Sequence, residues 1–197
     1  STIPNLHLFM QEGKKSIAIL GSTVSIGTQE LDVIEANPDR FVVEVLTAGR
    51  QAELLISQAI KFKPNTVVIA DDRQYDKVFE ALDLHGIKVY AGTNALSSVV
   101  QMDSLDMVLV ALVGYSGLLP TIKAVEAGKH IALANKESLV VAGDIVTRLA
   151  KEKGVNIYPV DSEHSARLLV TRSRNSSVRP TTTGSSPTAT RCPARPS

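Results

Sequence analysis

From Lys14 onward, short apolar runs alternate with longer amphipathic stretches. Residues 16–20, 41–47, 66–70, 87–90, 107–112, 130–134 and 156–160 have strand length and are rich in Val, Ile and Leu. Between them the spacing predicts helices over 26–35, 52–62, 76–84, 94–101, 118–127 and 137–153. Strand-length runs separated by helices of about a dozen residues are the sign of repeated βαβ units. Strands apolar on both faces need helices above and below them. The expectation is therefore an α/β domain over residues 14–160, a doubly wound, mostly parallel sheet of Rossmann-like type.

The pattern stops after Ala166. Of the 31 residues from Arg167 to Ser197, 22 are Ser, Thr, Arg or Pro, and little beyond Leu168-Leu-Val170 could be buried. Such a composition predicts a disordered tail. Charge divides at the same place: 15 of the 21 basic and all 20 acidic residues lie in 1–166, a net charge of −5 there. The tail is basic but lacks the interleaved aromatics of stacking sites, so nucleic acid is not an expected partner. Residues 1–13 read as a loose leader with no secretory pattern. The apolar runs are too short to span a bilayer, so no membrane partner is expected. Cys192 is the single cysteine, which excludes an intrachain disulfide framework. A reducing compartment, bacterial cytoplasm before plastid, is the expected setting.

Three segments carry candidate chemistry. Gly21-Ser-Thr-Val-Ser-Ile-Gly27 joins the first strand to the first helix, where glycines permit a tight turn and a pyrophosphate at the helix N-terminus. An ordinary βα turn is the alternative. Val24 stands mid-turn, where a β-branched side chain resists positive φ; were left-handed geometry required there, it would cost on the order of 1–3 kcal/mol. The second strand runs out into Ala48-Gly49-Arg50-Gln51, with no carboxylate for ribose hydroxyls. Arg50 favours NADP(H) over NAD, unless it is simply a solvated surface side chain.

Leu133-Ala-Asn-Lys-Glu-Ser138 follows a strand and opens a helix, so Asn135, Lys136 and Glu137 would face a crevice at the strand ends. Helix capping by Asn135 is compatible with that role. In Val160-Asp-Ser-Glu-His-Ser165, Asp161 and Glu163 are two apart and can converge on one point, an oxygen pair suited to Mg²⁺ or Mn²⁺.

Taken together with Gly114-Tyr-Ser-Gly-Leu-Leu-Pro120, these segments closely resemble the 1-deoxy-D-xylulose 5-phosphate reductoisomerases, from about Lys14 to Ala166. That resemblance implies an NADPH-dependent enzyme making 2-C-methyl-D-erythritol 4-phosphate for non-mevalonate isoprenoid synthesis. It implies Thr23, Ser25 and Ile26 along the NADPH phosphates, with Gly21 and Val24 in the same cofactor turn. Gly49, Arg50 and Gln51 would surround the adenosine 2′-phosphate end. Asn135, Lys136 and Glu137 would border the nicotinamide half, Lys136 also reaching the substrate. Asp161 and Glu163 would be the metal ligands and catalytic carboxylates, with Ser162 and Glu163 touching the sugar phosphate.

The family has Gly where this chain has Val24. It also continues for roughly as many residues again after the Asp161–Ser165 segment, with part of its homodimer interface there. Residues 161–166 would thus begin a catalytic domain that the tail replaces, as an out-of-frame translation would do. The expectation is weak or absent NADPH binding and no turnover, a non-catalytic nucleotide-binding chain being the alternative function.

Overall fold

The computed structural model describes residues 13–134 and 136–160. Seven strands form one sheet: β1 (Lys15–Leu20), β2 (Phe41–Ala48), β3 (Thr66–Ile69), β4 (Lys88–Ala91), β5 (Met107–Val110), β6 (His130–Leu133) and β7 (Ile157–Pro159). Their spatial order is β4-β3-β2-β1-β5-β6-β7, and every neighbouring pair is parallel. Six α-helices connect them among the described residues: α1 (Ser25–Glu35), α2 (Ala52–Phe62), α3 (Tyr75–Leu82), α4 (Thr93–Val99), α5 (Leu118–Glu126) and α6 (Lys136–Lys153). Each predicted strand and helix is present, with ends shifted by one or two residues.

Alternation along the strands builds a core on each face. Ile17 and Ile19 of β1 pack with Leu31 and Ile34 of α1, Leu55 of α2 and Val78 of α3. Ala18 and Leu20, on the opposite side of the same strand, join Leu96 of α4, Val125 of α5 and Val146 of α6. Successive strand residues point to opposite faces. A strand that is apolar throughout therefore needs a helical layer on both sides, which the two helix triplets supply.

The order fixes where a ligand can sit. From β1 the chain winds outward through β2, β3 and β4, then crosses back to place β5 on the other flank of β1. The gap between the connections leaving β1 and β5 is the topological switch point, the usual ligand crevice of open α/β sheets. Among the described residues, no helix is long and apolar enough to cross a membrane. Residues 1–12 of the proposed leader, Asn135, the Asp161–Ser165 segment and the basic tail lie outside the described residues.

Candidate cofactor site

The glycine turn leaves β1 directly into α1. Gly21 has φ +85°, which L side chains rarely adopt, and a Cβ there would stand 2.9 Å from Leu112 Cδ2. Gly27, in the first turn of α1, lies so close to β1 that a Cβ would meet the Gly21 carbonyl oxygen. These two glycines allow the helix to start against the strand end, and no larger residue could do so without displacement. Val24 is different. It is the N-cap of α1 at φ −79° and ψ 160°, ordinary extended backbone, and its side chain packs on the core beside α1. The strain considered for a left-handed Val24 is absent, because the turn places its positive φ at Gly21 instead.

A buried network holds this turn in place. The Gly21 N–H donates to Thr47 Oγ1 at 3.0 Å and the Ser22 N–H to the Thr47 carbonyl at 2.8 Å. The Ser22 hydroxyl donates to Gln58 Oε1 at 2.7 Å, while Gln58 Nε2 donates to the Ser22 carbonyl at 2.9 Å. Thus β2 and α2 together orient the turn. No side chain caps α1, and its first turn carries no acidic residue. The opening N–H groups of a helix have no intrahelical partner. With the helix dipole, those of Ser25, Ile26 and Gly27 make a place for a phosphate group.

The neighbouring segments reach the same rim. Across the crevice, the Ala111 N–H donates to the Leu20 carbonyl at 2.9 Å, and Leu112 lies against Gly21. Gly114–Gly117 then forms a 3₁₀ turn before α5, with Tyr115 exposed at its tip. At β6, the Ala134 N–H donates to the Val110 carbonyl at 3.0 Å, so the Leu133–Ser138 segment leaves the sheet on this side. Lys136 and Glu137 open α6 there. At β7, the Val160 N–H donates to the Leu133 carbonyl at 2.8 Å, bringing the chain to the rim just before Asp161. Asn135, Asp161, Ser162 and Glu163 themselves are outside the described residues. No group of three His, Cys, Asp or Glu side chains gathers among the described ones.

Gly49, Arg50 and Gln51 are exposed at the tip of β2, where Gln51 is the N-cap of α2. Sequence reading missed what joins them from β3. The Asp71 N–H donates to the Gly49 carbonyl at 3.0 Å. Asp71 then receives Arg73 in a two-pronged pair, Nε to Oδ1 at 2.9 Å and Nη2 to Oδ2 at 2.8 Å. Arg50 Nε stands 4.0 Å from the same Oδ2. The Arg73 hydrogen bonds hold the Asp71 carboxyl at about 2, against a partial desolvation that works the other way. Gly49, Arg50, Ala70, Asp71, Asp72 and Arg73 line a cleft of about 450 Å³. Its only cue in the sequence is that Asp71-Asp-Arg73 follows a strand, which says nothing of its nearness to Arg50.

Residues 17–143 match the sequence profile of the 1-deoxy-D-xylulose 5-phosphate reductoisomerases. A relative of that name from Porphyromonas gingivalis is 59% identical over 153 residues, 78% of this chain and 40% of its own length. One from Bacteroides thetaiotaomicron is 57% identical, with 39% of its length covered. Among solved structures, the Zymomonas mobilis enzyme in complex with NADPH superposes with a TM-score of 0.71 at 40% identity. That match covers 77% of this chain and 40% of the other. A DOX-P reductoisomerase in complex with NADPH, fosmidomycin and magnesium gives 0.71 at 38% identity, covering 76% and 37% of the two chains. The chain thus spans about 40% of the length of the curated relatives it matches. With the glycine turn, the switch-point crevice and the profile match all falling on the same strands, the chain belongs to the 1-deoxy-D-xylulose 5-phosphate reductoisomerase family.

Proposed function

We propose that residues 13–160 form the NADPH-holding part of a reductoisomerase converting 1-deoxy-D-xylulose 5-phosphate to 2-C-methyl-D-erythritol 4-phosphate. The observation that carries this reading is the uncapped, acid-free N-terminus of α1, set against β1 by Gly27 at the topological switch point. A bound NADPH would bring hydride-donor chemistry for reducing the rearranged aldehyde. The chain's own part is to bind and orient it. Thr23, Ser25 and Ile26 border its phosphates, and Gly49, Arg50 and Gln51 its adenosine end. Asn135, Lys136 and Glu137 border the nicotinamide side.

Asp161 and Glu163, an oxygen pair, suit Mg²⁺ or Mn²⁺, which in such chemistry polarises and orients substrate oxygens. Ser162, Glu163 and Lys136 would contact the sugar phosphate. A homodimer in the bacterial cytoplasm is the setting we propose, in keeping with the bacterial relatives.

The chemical step requires reacting groups gathered in a water-poor cleft. Relatives assigned the activity are more than twice this chain's matched length. Of the 197 residues by themselves we therefore expect no turnover. NADPH binding is expected in place of the weak or absent binding foreseen from Val24, because that residue sits on ordinary extended backbone. Titration of reduced-nicotinamide fluorescence reads the binding, and NADPH oxidation with deoxyxylulose phosphate and Mn²⁺ reads the turnover. Saturable binding with a flat oxidation trace is the expected pair; no binding removes the cofactor reading, and steady oxidation removes the claim of inactivity.

A further inference from the structure

Resting on the reading of this rim as an NADPH site, we propose that Arg73 is a second cation for the cofactor's adenosine 2′-phosphate. With Arg50 it sets the preference for NADPH over NADH. The two guanidinium groups come from different strand ends, β2 and β3, and converge on one carboxylate oxygen, Asp71 Oδ2. Arg50 and Arg73 side chains are 84% and 78% exposed while Asp71 is 12% exposed; all three line the cleft, and the two cations offer an entering anion far more surface than the carboxylate does.

Asp71 acts here as a positioning residue. Its two oxygens take Nε and Nη2 of Arg73, leaving three of the five guanidinium N–H donors for another anion. A planar fork already held in place matches phosphate geometry and loses less freedom on binding it. Asp72, the other acid lining the cleft, has its Oδ1 beside Gly92, 3.2 Å from where a Cβ there would stand, at the end of β4, the neighbour of β3 on the side opposite β2. Gly49 adds no side chain, and a Cβ there would meet nothing within 4 Å, so the space beside it at the tip of β2 is open. A cleft of about 450 Å³ has room for a phosphorylated ribose.

The test uses the whole 197-residue chain, wild type and the variants R73A, R73K and R50A, each titrated with NADPH and with NADH at low salt. R73A should weaken NADPH about tenfold, the size expected for lost charged hydrogen bonds at an exposed site, and leave NADH within about twofold. R50A should act in the same sense, and R73K should recover part of the NADPH affinity by restoring charge without the fork. Equal losses for both nucleotides in R73A would make Arg73 a structural residue and overturn the inference. Unchanged NADPH binding in R73A, with wild type binding normally, would overturn it while the cofactor site stands. Wild-type protein binding neither nucleotide would remove the site itself and this inference with it. Because Arg73 is exposed, circular dichroism of R73A should match wild type, which separates a binding effect from misfolding.

Discussion

At the scale of single residues, three positions of the glycine turn have separate jobs that their spelling does not distinguish. Gly21 supplies the left-handed backbone, Gly27 the close contact of helix and strand, and Val24 a half-buried side chain on ordinary extended backbone. In Gly27→Ala the new methyl meets the Gly21 carbonyl, which can move only if α1 moves. The expected loss is about 3 kcal/mol, the upper part of the usual overpacking range, read as a lower denaturation midpoint in urea. Val24→Gly has no positive φ to relieve. It loses roughly 1 kcal/mol of half-buried valine and recovers a similar amount from the better N-cap, so stability should stay within about 1 kcal/mol. A gain well beyond that would reveal strain that the backbone angles do not show. Any tightening of NADPH in this variant would then come from the removed side chain alone.

At the scale of elements, the turn is held by its neighbours more than by itself. Ser22 and Gln58 are both buried and exchange two hydrogen bonds, so β1's exit loop is tied to the middle of α2. Gln58→Ala leaves the Ser22 carbonyl and hydroxyl without that partner. Its cost should be about 1–3 kcal/mol, with NADPH binding weakened alongside, whereas an exposed-face change such as Lys77→Ala should do neither. The Lys77–Glu53 pair that joins α3 to α2 lies on the surface and contributes little.

A second element-scale effect lies at the opposite rim, where Nδ1 of His130 in β6 accepts the Asn156 N–H at 3.1 Å. Burial first, then the charge of Lys15, hold the imidazole below its ordinary value, with Asp106 pulling the other way. The unfolded chain takes up this proton near pH 6.5 and the folded chain only below that, so the unfolded state binds more protons in the window. Stability should therefore fall as pH drops below about 6.5. Urea midpoints from pH 8 to pH 5 should decline more steeply in wild type than in His130→Gln, and parallel curves would refute this.

At the scale of the molecule, the sheet order decides which loops meet. Parallel pairing of β2 with β3, Ala48 opposite Ile69, sets Arg50 and Arg73 around one carboxylate. Pairing of β1 with β5, Leu20 opposite Val110, sets the glycine turn against the Leu112 loop. Because every pair is parallel, the C-terminal ends of β1, β2, β5, β6 and β7 lie at one rim. A ligand that binds only the folded state stabilises it by mass action, so on the proposed reading NADPH should stabilise the domain. A thermal melt with saturating NADPH should shift upward as a single transition, and NADH at the same concentration should shift it less.

The alternation of apolar runs already determined the seven strands and six helices found among the described residues and the parallel doubly wound class, because those depend on local periodicity and on the need to bury both faces of each strand. The spelling of Gly21–Gly27 marked the tight turn from β1 into α1 for the same reason: turn chemistry is local. Tertiary structure alone decided that Val24 is unstrained, since its φ depends on how the turn hands its positive angle to Gly21. It alone brought Arg73 to Arg50, 23 positions away in the chain, because that nearness is a product of strand pairing and register, which no local pattern contains.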